Sequence, residues 1–499
     1  MNSRPSQNRF QRVLLVSPPS SSYLGAARPP QNLGYLAESL LQNNIDYDIL
    51  DMRLGYRIKD LLKKIKTYEP DLIGFSLVSL EYKKSYHLIS ATKHAFPHIK
   101  TIAGGPHLTV LQEHVLEECP DIDFGVVYEG EKTLSELCQN RLPVSEIKGL
   151  IRRIQGKIQY NGHRIFEKNL DDIPYPTYQK FELHKYIREM PFNSSRGCPF
   201  RCVFCPNKMI TKKFRWRSPK HVVDEIEYWY KKGIRTFNYD DDNFSFFKDR
   251  IFAICDEIET REIRDAEFRC SNGLRADKID KPLLARMKQV GFNYIAFGVD
   301  GGNDHMLRMN KKGETIDQID SAIRTACELG FDVKIFCILA MPYETLPDIE
   351  DSFRMVQKYP VKRVILNNPI PYPGTELFET VKNNGWFIKQ PEEYLNHVTE
   401  NENVPVFVTP EISLKERKKI LKRSRKIEKR VTRKAVRQMY KKYPLINSIM
   451  ALLFATDFVE NLFFNNMKFR RFIEKIRYRR MLKSRRIQDV DTEPIRLLE

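Results

Sequence analysis

Between residues 12 and 129, short uninterrupted apolar runs alternate with stretches of helical periodicity, and this alternation narrows the fold more than any other feature. RVLLVS (12–17), YDILDM (47–52), LIGFSLVS (72–79), KTIAGG (100–105) and FGVVYE (124–129) read as strands. Helical runs at 32–44, 57–68, from 80 to about Ala95 and near 110–118 separate them. Strands that are apolar throughout need cover on both faces, which a doubly wound parallel sheet provides. Ligands of such sheets bind beyond the strand carboxyl ends, where the Pro, Gly and Ser loops lie here.

A second α/β series begins at 191, with strands at 236–244, 267–273, 294–300, 333–340 and 363–374. Their roughly 30-residue spacing suits a complete or partial (β/α) barrel. Between the two series, 150–165 reads as a hairpin and DDIPYPTY (171–178) as an extended linker. The expected architecture is therefore a sheet domain over 1–142, a linker with hairpin over 143–190, a barrel over 191–400 and a basic helical region over 401–499. A chain of 499 residues has room for these separate cores.

The net charge of +19 suggests nucleic acid until it is located. From Lys415 to Arg486 there are 25 Lys/Arg against 5 Asp/Glu, a net of +20, so the rest of the chain sums to −1. Few aromatics interleave these basic clusters, and a nucleic-acid partner is not the expected one. Within the region, 411–443 reads as a basic helix and 444–466 as an apolar window whose Asp457 and Glu460 make spanning a bilayer costly. Basic residues return over 468–486. Two readings stay open: a helix lying on an anionic membrane through 411–486, or one packed on the protein's own barrel. The short apolar run Val13–Val16 ends at two prolines and resembles neither a signal peptide nor a span. Nine cysteines without an export signal point to a reducing cytoplasm, with peripheral contact at its membrane as the variant reading.

Three of those cysteines stand together in SRGCPFRCVFCPN: Cys198, Cys202 and Cys205, spaced C-x₃-C-x₂-C. Three thiolates in one loop can hold a cubane of four irons and leave one iron open to a substrate or cofactor. A zinc site would need a fourth ligand, and the nearest histidines, His184 and His221, lie outside the loop. The other six cysteines are scattered and read as structural.

This cysteine run, with Phe204 before its last member, resembles the radical S-adenosylmethionine enzymes, over roughly 190–380. The resemblance implies a 4Fe–4S cluster whose open iron chelates S-adenosylmethionine, with reductive cleavage to a 5′-deoxyadenosyl radical. It also implies an electron donor such as a flavodoxin or ferredoxin. In NYDDDNF (238–244), Asp240, Asp241, Asp242 and Asn243 stand where the family holds the methionine amine. SNGLRAD (271–277) offers Asn272 and Arg275 near the cofactor, and FGVDGG (297–302) offers Asp300 for the ribose hydroxyls. CILAMPYET (337–345) stands where relatives pass the adenine, with Ala340 and Met341 in place of smaller residues.

The first series is similar to cobalamin-binding domains. Ser76, Gly104 and Gly105 stand where that family lines the cleft for the nucleotide tail, and Glu129 in YEGEKTL (128–134) where the domain closes. His107 is a candidate to face the ligand or the surface. The cobalt-ligating histidine loop of some relatives is replaced by DMRLGYR (51–57), with Arg53 and no histidine.

Together these resemblances imply a cobalamin-dependent radical methyltransferase acting on an unactivated carbon of a small-molecule, apolar or lipid-like substrate. The rivals are a radical cyclisation or rearrangement with the same cofactors, and a non-enzymatic metal-containing protein that binds membrane or nucleic acid. Methylthiotransferases carry three further cysteines in the first domain, and Cys119 with Cys138 are too few.

Overall fold

The computed structural model describes residues 8–19, 28–397 and 404–439. They divide into two compact units, one of the residues up to Tyr186 with 391–397, the other of 187–390 with 404–439. The apolar window 444–466 and the basic stretch 468–486 lie outside the described residues.

In the first unit, β1 (Arg12–Ser17), β2 (Asp46–Asp51), β3 (Leu72–Ser76), β4 (Lys100–Gly104) and β5 (Phe124–Val126) form a parallel sheet in the order β2-β1-β3-β4-β5. Five of the six β1 residues are buried, which is why that strand is apolar without alternation. Leu61 and Ile65 of the helix Ile58–Tyr68 join its core, while the lysines of that helix keep to the other face. The strand order reverses between β1 and β3, so Ser17 and Ser76 end at the switch point.

Two expectations are corrected here. The last strand stops at Val126, because Tyr128 turns the chain with φ +68°. The hairpin expected in a linker over 143–190 forms, as β6 (Leu150–Ile154) and β7 (Lys157–Tyr160), but it belongs to the sheet. β6 pairs antiparallel with β5 and buries Leu150 and Ile151 fully, covering an edge that β5 would otherwise leave open.

The second unit holds six parallel strands in the order β15-β14-β13-β12-β11-β8: β8 (Met190–Phe192), β11 (Thr236–Tyr239), β12 (Glu267–Leu274), β13 (Phe292–Gly298), β14 (Asp332–Ile338) and β15 (Arg363–Asn367). A two-residue ribbon, β9 (Ser195–Arg196) against β10 (Arg215–Trp216), sits beside the start of the cysteine loop. Phe192, Tyr239, Phe268 and Phe292 fill the sheet's interior as a stack of rings, with Tyr239 and Phe292 5.4 Å apart. Burying each ring contributes about 1.5–3 kcal/mol relative to leaving it in water.

The basic stretch expected at 411–443 forms the helix Leu414–Met439. Its apolar residues Ile420, Leu421, Ile427, Val431 and Val436 are buried, and Glu428 accepts the Leu366 N–H of edge strand β15 at 2.6 Å. Its apolar face is therefore used inside the protein. Among the described residues no helix is long and apolar enough to cross a membrane.

Candidate functional site

The cysteine loop is anchored before it begins. Asp241, buried, accepts the Ser194 N–H at 2.7 Å, the Ser194 hydroxyl at 2.6 Å and the Ser195 hydroxyl at 2.5 Å. Arg217 donates to the Asn193 carbonyl at 3.0 Å and Arg250 to that of Ser194 at 2.5 Å. Further along, the Val203 N–H donates to the Asn310 carbonyl at 3.2 Å, and the Leu377 N–H donates to that of Val203 at 2.9 Å. A loop fixed at both ends presents Cys198, Cys202 and Cys205 half-buried and without disulfides.

Burial pushes all three thiols up, Cys205 to about 12, against local pulls toward the thiolate. Asn243 donates to the Cys198 sulfur at 3.8 Å, Arg275 acts on Cys198 and Cys202, and Lys312 acts on Cys202. The remaining Asn243 oxygen is buried and has no hydrogen-bond partner. Among the described residues no three His, Cys, Asp or Glu side chains gather around a single ion. Cys198, Cys202 and Cys205, free and half-buried on one loop, are the three thiol donors that a cluster with one open iron takes.

The structure redistributes several of the expected site residues. Asp241 is engaged through both oxygens in holding the loop. Asp240 accepts from Asn238, and Asp242 accepts the Gly197 N–H at 3.2 Å. Asn272 donates to the carbonyls of Asp240 and Asp241 at 3.3 and 3.1 Å, so it shapes this turn. Phe204 is half-buried within the loop. Asp300, at φ +49°, pairs with Lys312 at 2.8 Å, both side chains being buried. Arg275 lies over the Phe200 ring at 3.4 Å and donates to the carbonyls of Lys312 and Gly313 at 2.7 and 2.9 Å.

Lys312 was not among the sequence candidates. Burial would lower its pKa, but Asp300, Glu314 and Cys202 together hold it above its ordinary value and keep it cationic. In NKKGET two adjacent lysines beside a glycine look like a solvated turn, and no local signal marks the second as buried.

Beyond β14, Glu344 is buried, accepting the Met341 N–H at 2.8 Å with its other oxygen unpartnered. Burial pushes its carboxyl up to about 8. Ala340, at φ +62°, gives its carbonyl to the buried Arg417 of the C-terminal helix at 2.7 Å.

In the first unit, Ser76, Gly104 and Gly105 stand at the carboxyl ends of β3 and β4, with Asn32 donating to the Ser76 hydroxyl at 2.7 Å. The two glycines differ. Gly105, at φ +109°, would bring a Cβ to 2.6 Å from the Leu77 carbonyl, so the backbone itself requires it. A Cβ on Gly104 would meet only Val126, at an ordinary 3.6 Å, so its protein surroundings do not require a glycine. Glu129 is half-buried ahead of the helix Glu131–Cys138. His107, expected at a ligand or the surface, is instead a core residue. It stacks on Tyr82 at 4.5 Å and engages the Tyr86 hydroxyl at 2.9 Å and the Ser79 hydroxyl at 3.3 Å. Burial lowers its pKa to about 4, so it is neutral. Arg53 is held by Asp51 at 2.6 Å in the loop that lacks a histidine.

Residues 192–356 match the Radical SAM superfamily and residues 24–138 the B12 binding domain. An uncharacterized methyltransferase from Pyrococcus horikoshii is 30% identical over 385 residues, 74% of this chain and 83% of that protein. An anaerobic magnesium-protoporphyrin IX monomethyl ester cyclase from Cereibacter sphaeroides is 25% identical over 392 residues, 74% of this chain and 64% of the relative. The solved radical S-adenosylmethionine methyltransferase TsrM from Kitasatospora setae, with cobalamin and a 4Fe–4S cluster bound, shares the fold. Its TM-score is 0.67 at 17% identity, over 83% of this chain and 90% of that one.

Proposed function

The chain belongs to the cobalamin-binding radical S-adenosylmethionine enzymes, and from that premise we propose that it methylates an unactivated carbon of a small-molecule substrate. The observation that carries this is the tandem of the two domains in a chain that covers 83% of a methyltransferase relative. When bound, the cluster and S-adenosylmethionine supply C–H activation and cobalamin supplies a methyl carrier.

The chain's own part is binding and geometry. Cys198, Cys202 and Cys205 are the cluster ligands, on a loop held by Asp241, Arg217 and Arg250. Asn243, with one buried oxygen free of any hydrogen-bond partner, is the residue to receive the methionine amine beside Cys198. Lys312 and Arg275 supply positive charge where three thiolates add negative charge. Ser76 and Gly104 would line the nucleotide tail of cobalamin, Glu129 stands where that domain closes, and the loop with the Arg53–Asp51 pair carries no histidine.

The test is anaerobic reconstitution with iron, sulfide and hydroxocobalamin, then reduction in the presence of S-adenosylmethionine labelled in its methyl group. Label arriving on protein-bound cobalamin supports methyl transfer. A cluster formed without retained cobalamin refutes it and favours radical cyclisation, the reading that the Cereibacter cyclase supports. An apolar or lipid-like substrate is the finer proposal, drawn from the apolar window at 444–466. Unchanged membrane partitioning after removal of 440–499 removes it.

A further inference from the structure

The proposed chemistry consumes an electron at the cluster, and the surface beside the cysteine loop combines basic residues with exposed aromatic rings. From Arg196 to Lys220 the chain carries eight Lys/Arg and no Asp or Glu. Arg201, Lys208, Lys212 and Lys213 are exposed. The same segment carries Trp216, 44% exposed, whose ring lies 4.6 Å from that of Phe247, 38% exposed. Behind these two, Phe214 and Phe246 lie 5.1 Å apart, and Phe246 lies 5.9 Å from Phe200, between Cys198 and Cys202. A Cβ on Gly197 would come within 2.7 Å of the Lys213 carbonyl, so the basic segment packs directly on the residue before Cys198. Asp242 and Asp249, the exposed acids of the neighbouring loop, are outnumbered.

We propose that this face, Lys208 to Trp216 with Phe247, is the docking surface of an acidic, low-potential one-electron donor protein of the flavodoxin class. The inference rests on the radical reading but not on methyl transfer. One electron passes from the donor's reduced flavin to the cluster, the flavin is oxidised to its semiquinone, and no group is transferred. Positive charge steers an acidic partner to the loop and the exposed ring pair supplies a small apolar centre. Two rings and a few lysines match the small interfaces of transient redox encounters. Basic residues with aromatics also suit single-stranded nucleic acid, but the rings here lead to the cluster loop, which a nucleic acid does not need.

The test uses the full chain with its cluster reconstituted, and follows cluster reduction by bleaching of its absorbance and by EPR. The probes are a reduced bacterial flavodoxin and, separately, dithionite. In the double variant Lys208→Glu, Lys213→Glu, the second-order rate with flavodoxin at low salt should fall about tenfold or more, and its salt dependence should flatten. Cluster content and reduction by dithionite should match wild type, which separates lost docking from lost folding. Trp216→Ala should weaken flavodoxin binding without changing the salt slope. An unchanged flavodoxin rate and salt slope in the double variant overturns the proposal. So does loss of binding to a single-stranded oligonucleotide with flavodoxin reduction intact. Neither readout depends on whether cobalamin binds, so failure here is distinct from failure of the methyltransferase reading.

Discussion

Replacing Lys312 with Met tests whether the buried charge triad beside the cluster loop is organised as the structure shows. The ammonium lies 2.8 Å from Asp300 and 3.6 Å from Glu314, and the three side chains are 11%, 9% and 1% exposed. Arg275 reaches Glu314 only at 3.9 Å, so Glu314 keeps a distant cation and Asp300 loses its partner. Breaking a buried pair by removing one member costs about 3–5 kcal/mol, because the remaining charge stays desolvated. For a unit of this size that corresponds to a fall of roughly 10 °C in melting temperature. Adding Asp300→Asn removes the stranded charge and should recover most of the loss, leaving a coupling energy of about 1–3 kcal/mol between the two sites. Thermal unfolding of the cluster-free chain followed by circular dichroism reads all four members of the cycle. A single variant melting within about 2 °C of wild type, or a double variant no better than the single, refutes the reasoning.

Cys202→Ala should abolish the visible absorbance and EPR signal of the reconstituted cluster while leaving the far-ultraviolet spectrum unchanged. Gly105→Ala should cost about 1–3 kcal/mol by denaturant unfolding, since it meets both a positive φ and the Leu77 carbonyl. Gly104→Ala should fold normally yet retain less cobalamin after gel filtration, and equal cobalamin retention would remove its ligand role. Glu344 binds its proton in the folded state up to about pH 8, against an ordinary 4.5, so its contribution is present at low pH and is lost as pH rises through that window. Wild-type stability should therefore fall from pH 5 to 8 more steeply than that of Glu344→Gln, by up to about 1.4 kcal/mol per pH unit. Parallel stability profiles for the two proteins would contradict that assignment.

Both sheets were legible because fully buried parallel strands must be apolar along their whole length, and helices must separate them. The cysteine loop was legible because metal ligands are recognised by spacing. Other features were hidden for reasons specific to each. Asp240, Asp241 and Asp242 look alike in sequence, and only their neighbours show that Asp241 holds Ser194 and Ser195 while its flanking residues do not. Lys312 needed knowledge of burial that KKG does not carry. His107 follows a glycine pair like a ligand-facing loop residue, but Tyr82 and Tyr86 from a helix some 20 residues earlier enclose it. The hairpin at 150–160 carried its own strand signals, yet nothing local says which sheet edge it joins. The tail helix was readable as helix and as basic, but the choice between packing on the barrel and lying on a membrane stayed open, because its buried positions alternate with lysines and arginines that dominate the composition.

The contact between Glu428 and the Leu366 N–H bears on how the protein is made. Every strand of the second sheet precedes the helix Leu414–Met439 in the chain, so during synthesis β15 emerges with its outer backbone groups unpaired. About 60 more residues must leave the ribosome before Glu428 can reach it, several seconds at usual elongation rates. For that interval the nascent sheet presents an open edge to neighbouring chains. Slow or interrupted translation between Asn367 and Glu428 should therefore raise the yield of aggregated chain, without any change in the finished fold.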